Sequence, residues 1–127
     1  MIISLPTDLP TGVLVLPRRI PSQNLLHYRH WSRYRVERDA WFVLLRSRLP
    51  PRQAVQVPVG LVLRSYRNRL MDYANLVGGA KPIPDCLIRL GYLKDDGPRW
   101  FSCDYQQIQV PRTEERTELE FVPWREC

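Results

Sequence analysis

The stretch from Gly78 to Pro84, GGAKPIP, constrains the fold more than any other part of the chain. Pro82 has no N–H to bond the carbonyl of Gly78 four residues back, and its ring crowds that carbonyl. Glycine at 78 and 79 relieves the clash, or lets backbone approach a phosphate closely. Pro84 suits the first turn of a helix, so a helix is expected to start or restart near it. Ile83, Leu87 and Leu90 then form its buried stripe, Arg89 complements the dipole of the last turn, and Gly91 ends it.

Acidic residues flank this joint. Between Arg69 and Pro98 lie Asp72, Asp85, Asp95, Asp96 and the first lysine of the chain, Lys81. Carboxylates gathered in a basic protein suggest a hard cation beside a phosphate-rich partner. Asp72, placed at the end of a strand, and Asp96, placed at the far end of a helix, are expected to converge on one ion. Magnesium held this way keeps open positions for water and phosphate, which is what phosphodiester hydrolysis needs. Lys81 is then the donor to the scissile phosphate. Plainer roles stand beside these. Asp85 reads equally as a first-turn acid favoured by the helix dipole, and Asp95-Asp96-Gly97-Pro98 as a turn.

The charge distribution supports a phosphate partner. The net charge is +6, but residues 1–70 hold twelve Arg against three acids, a net +9, and residues 71–127 come to −3. Seventeen of the nineteen cations are Arg, whose planar fork suits phosphate oxygens and stacks on base faces. A general bias toward arginine would produce the same count, so charge alone leaves the two explanations close. At 127 residues one domain is expected. No apolar run approaches the roughly 20 residues of a membrane helix, and the N-terminus has no signal-peptide pattern, so no membrane association and a cytoplasmic location are expected. Cys86, Cys103 and Cys127 lack C-x-x-C spacing and read as free thiols.

Residues 11–16, TGVLVL, form a short strand closed by Pro17. The segment RRIPSQNLLHYRH, with His27 and His30, is a loop feeding a helix. Residues 31–49 repeat Tyr34, Trp41, Leu44, Leu45 and Leu49 near helical spacing, with Ser32 as N-cap and Pro50-Pro51 as the stop. Trp41 belongs to the core; Trp31 is left unassigned. Residues 55–66 alternate as a second strand that begins at an edge or after Pro58 and delivers Arg64, Arg67 and Arg69 to the acidic stretch. Residues 100–110 and 116–122 are two further strands, with PRTEE between them as a hairpin-type turn. The expected order is β-α-β-α-β-β, an α+β fold with two main helices on a small mixed sheet.

At these residues the chain resembles the RusA family of Holliday junction endonucleases, in its phage-type branch. The family pattern is Asp-x-Asp-Asn-Leu, a Lys, Asp-x-Leu, a Gly and a closing Asp-Asp. It is matched here by Asp72, Asn75 and Leu76, Lys81, Asp85 and Leu87, Gly91, Asp95 and Asp96. Leu14 to Asn24 resembles the family's first strand and loop. The resemblance covers most of residues 13–122. It implies a nucleoid-associated bacterial or phage-encoded homodimer that binds four-way DNA junctions and nicks two strands with Mg²⁺, or with Mn²⁺ in its place. By position, Asp72, Lys81 and Asp96 are the implied catalytic residues, with Asp72, Asp95 and Asp96 on the metal. Expected DNA contacts are Arg18, Arg19, Arg29, Arg33, Arg67, Arg69, Asn75 and Lys81. The chain departs from the pattern at Ala74, where a methyl group replaces the second Asp and cannot ligate a cation. Fewer charged ligands weaken metal binding. An active junction endonuclease and a junction- or branched-DNA-binding protein without turnover are therefore both open readings.

Overall fold

A computed structural model of the chain describes residues 2–24 and 31–126, without the side chains of Ile2, Ile3 and Trp31. The strands are β1 (Ile2–Ile3), β2 (Val13–Leu16), β3 (Val59–Arg67), β4 (Phe101–Gln109), β5 (Arg116–Val122) and β6 (Trp124–Arg125). The helices are α1 (Trp31–Arg48), α2 (Tyr73–Ala80) and α3 (Pro82–Leu90), and a short 3₁₀ turn spans Arg112–Glu114. Four strands form one mixed sheet in the order β2-β5-β3-β4, and β1 pairs with β6 in a separate two-stranded ribbon. The expected α+β class is therefore present as a small mixed sheet with helices.

Residue patterning explains the sheet order. In β3 the side chains of Val59, Leu61, Leu63, Ser65 and Arg67 are all buried, as period-two alternation requires of a strand with one face on the core. β3 starts immediately after Pro58, which cannot donate to a ladder. β5 buries Thr117, Leu119 and Phe121 in the same rhythm and lies antiparallel to β3, with Leu63 opposite Leu119. β4, FSCDYQQIQ, has no fully buried residue and takes the edge, parallel to β3.

This order overturns the expected hairpin at residues 111–115. β4 and β5 flank β3 on opposite sides, so the 3₁₀ turn carries the chain across the end of β3. The alternating, core-facing β5 is the better interior strand, and the polar, half-exposed β4 tolerates an open edge.

α1 buries Trp41 and Leu45, and Leu49 just past its end is buried with them, each nearly inaccessible to solvent. Burial of a side chain of this size contributes roughly 1.5–3 kcal/mol. α3 contributes Ile83, Cys86, Leu87 and Leu90 to the same core. One helix was expected near Pro84, but two short ones meet at Lys81, with Pro82 opening the second. Gly79 has a reason the sequence reading missed. A Cβ there would run into the Pro21 carbonyl oxygen, so Gly79 lets the joint pack against residues 20–23. Gly91 adopts φ +96 as the left-handed cap of α3, as its position implied. No helix among the described residues is long and apolar enough to cross a membrane.

Candidate functional site

The parallel pair β3–β4 needs a crossover, and α2 with α3 provides it. Its two ends place the acidic residues. β3 ends at Arg67, and Asp72 is not a strand end but the residue that opens α2. Its backbone lies at φ −57, ψ 145, and its carboxylate makes no capping bond. The side chain is therefore exposed and unspent. Asp96 likewise does not close a helix. α3 stops at Leu90, and Asp96 sits in the turn that leads into β4, where its N–H donates to Asp95 Oδ1 at 2.8 Å. Asp95 thus serves the turn with one oxygen.

Lys81 and Asp96, fifteen positions apart, line one cavity of about 230 Å³. Val77, Pro84 and Phe101 make its apolar wall, and Tyr105 of β4 adds a phenol. Tyr73, next to Asp72, meets Tyr105 edge to face with ring centroids 6.2 Å apart, which ties the start of α2 to the same wall. Burial pushes the Tyr105 hydroxyl well above its usual range, with Cys103, Tyr73 and Asp96 adding to the effect. The phenol is therefore protonated at neutral pH and a hydrogen-bond donor. Asp72 and Asp95 do not line the cavity. Among the described residues, no three His, Cys, Asp or Glu side chains are grouped to hold a metal ion. A cation held by one or two carboxylates, with water and phosphate in its other positions, needs no such group. Asp96 lines the cavity and Asp72 lies outside it with an exposed carboxylate, so these are the two acids available for such a cation, but the structure does not bring them together in one cavity.

Asp85 is committed elsewhere. Tyr34 of α1 donates its hydroxyl to Asp85 Oδ2, fastening α1 to α3. Burial first, and Asp85 second, push the Tyr34 phenol far above its usual value. The first-turn acid is thus a packing partner, and Ala74, exposed in the first turn of α2, has no substitute carboxylate there.

The expected DNA contacts divide. Arg19, Arg33 and Arg69 are exposed or at the surface, and Asn75 is half-buried on α2. Arg18 is engaged by Glu37 at 2.9 Å and lies over the Trp41 ring. Arg67 is a correction. It is only 7% exposed, with Nε donating to the Arg69 carbonyl at 2.6 Å and Nη1 to the Ile20 carbonyl at 2.7 Å. Burial, with Arg19 nearby, lowers its pKa. Arg67 therefore joins two loops from within and cannot reach a phosphate. Arg29, His27 and His30 lie outside the described residues.

Two residues beside the expected site went unread. Tyr105 was missed because a tyrosine in a strand carries no motif; its parity with Phe101 and Cys103 was the available signal. Arg112 was missed because the hairpin assumption placed it at a tip, away from Arg19 and Arg69. Compared with known proteins, the chain matches no protein-family model and no curated protein.

Proposed function

We propose that the chain is a Mg²⁺-dependent, structure-specific DNA endonuclease of the RusA type, acting on four-way or branched junctions. The observation that carries this reading is the meeting of Lys81 and Asp96 in one cavity, across fifteen residues, in a chain whose first half carries a net +9. The motif spacing supports it, since Asp72, Lys81 and Asp96 occupy the positions of the family's acids and lysine. Asp72 and Asp96 would hold the cation, with Mn²⁺ as the alternative to Mg²⁺. When bound, it supplies an activated water and neutralises charge on the phosphate. Lys81 offers a point charge to a non-bridging oxygen as negative charge builds there. Tyr105, kept protonated, adds a donor to the same wall, and Phe101 with Val77 forms the apolar side of the cavity. The homodimer implied by the resemblance would place one such site on each of two symmetry-related strands.

A second reading follows from one specific observation. Ala74 occupies the exposed first turn of α2 beside Asp72, and Asp85 is taken by Tyr34. With one carboxylate fewer than the family pattern, the protein would bind junctions without turning them over.

Cleavage of a labelled synthetic four-way junction with Mg²⁺ tests both. The parent protein, Ala74→Asp, and Ala74→Asp combined with Asp72→Asn are compared. Paired nicks by the parent, or nicks gained with Ala74→Asp and lost again with Asp72→Asn, support the endonuclease. We expect Ala74→Asp to raise the rate at least about tenfold, from a restored metal ligand. Silence from all three with junction binding intact selects the binding protein.

A further inference from the structure

A second cavity, of about 450 Å³, lies where the chain crosses the end of β3, and it is lined by Arg19, Asn68, Arg69, Arg112 and Glu115. We propose that it is a seat for a backbone phosphate of DNA, separate from the Lys81–Asp96 cavity. The inference rests on the chain being a DNA binder, and not on its cutting DNA.

Charge and geometry carry it. Three guanidinium side chains converge on one concave space from three turns far apart in sequence, and a fourth, Arg67, is buried behind them. One acid answers them. Glu115 Oε2 accepts the Asn68 N–H at 2.8 Å and lies 3.4 Å from Arg19 Nη1. The Asn68 N–H, with Arg19 also contributing, holds the Glu115 carboxyl below the usual range, so it stays charged as a brace between two turns. Arg69 and Arg112 form no ion pair with any described acid. Arg67 supplies the rigidity. Its fork holds the carbonyls of Ile20 and Arg69 together, so the turns bearing Arg19 and Arg69 keep a fixed separation.

Such a surplus of fixed cations around a cavity lowers the energy of an oxyanion there. The ligand is a phosphodiester oxygen pair taken by Arg forks, not a metal or an apolar group. Free inorganic phosphate shares that chemistry, and the test separates the two sources.

The test is binding of fluorescently labelled duplex and four-way junction DNA by the full chain over a salt series, without divalent cation. Arg112→Ala removes an exposed side chain that anchors no described structure. It is expected to weaken binding about three- to tenfold and to lower the slope of log K against log salt by about 0.9, one phosphate contact. Glu115→Gln keeps an acceptor for Asn68 but removes the charge, and is expected to tighten binding. Arg46→Ala, on the solvent face of α1 outside the cavity, is expected to leave the slope unchanged. An unchanged slope in Arg112→Ala, or an equal drop in Arg46→Ala, overturns the seat in favour of diffuse attraction. Titration with inorganic phosphate alone provides the other arm. Millimolar affinity that disappears in Arg112→Ala supports the seat, and micromolar affinity with no effect of Arg112→Ala on DNA overturns it. Because this assay reads binding alone, failure of the endonuclease reading would show separately, as normal binding here with no nicks in the Mg²⁺ junction-cleavage assay.

Discussion

At Arg67 a cation is enclosed without an ion-paired carboxylate among the described residues, and main-chain oxygens accept its hydrogen bonds instead. Its burial was legible in principle. The alternation Val59, Leu61, Leu63, Ser65 runs on to position 67, yet an arginine at a strand end beside Arg69 was read by its charge and not by its parity. Trp41, by contrast, was correctly placed because an aromatic at helical spacing carries no competing signal. The two described thiols illustrate what burial does to chemistry. Burial pushes Cys86 up to about 11 and Cys103 up to about 12, against 9.0 for a free thiol. A folded pKa above the unfolded one means that the fold favours the neutral thiol. That contribution is complete below pH 9 and is lost as pH rises toward 11–12. Urea unfolding is expected to show lower stability at pH 10.5 than at pH 8, with the raised tyrosines acting in the same direction. At pH 8, iodoacetamide should label Cys86 and Cys103 at least about tenfold more slowly than an exposed cysteine, as read by mass spectrometry.

Among the elements, α3 could be read from Pro84 to its stop at Gly91, two residues short at its start, because proline, a periodic apolar stripe and a glycine stop all agree. α2 could not. YANLVGGA carries two glycines, each costing roughly 1 kcal/mol in a helix, and tertiary packing, with Leu76 and Ala80 in the core and Gly79 against Pro21, offsets that cost. The site inherited that gap: Asp72 and Asp96 were expected on one ion with Lys81 beside them, whereas Lys81 and Asp96 line one cavity and Asp72, which opens α2, lies outside it. The cap of α3 is the place to test how firmly the crossover is fastened. Gly91 combines φ +96 with close approach of the Arg52 carbonyl, and the adjacent Leu90 carbonyl accepts the Arg52 N–H. Gly91→Ala is expected to destabilise the fold by about 1–3 kcal/mol, seen as a lower urea midpoint. An unchanged midpoint would mean that the turn rearranges freely.

For the whole molecule, the order β2-β5-β3-β4 makes the last long strand indispensable. β2 has β5 as its one partner in the sheet, and β3 loses half its ladder without it. A chain ending at residue 110 is therefore expected to lack a cooperative thermal transition, measured by circular dichroism, although every motif of the candidate site is retained. Sequence reading found the four strands of the main sheet, though not the short β1 and β6, and it did not find their neighbours, because pairing partners depend on which strand can bear an open edge.

The two cavities stand on different supports. The Lys81–Asp96 cavity belongs to the crossover between β3 and β4, and the arginine cavity belongs to the turns after β2, after β3 and before β5. Lengthening or recolouring the 110–115 turn would reshape the second cavity while leaving the crossover untouched. The two cavities are thus separable parts of the fold. The roles proposed for them could drift, be selected or be engineered one at a time, with the ladder between β3 and β5 as the common chassis.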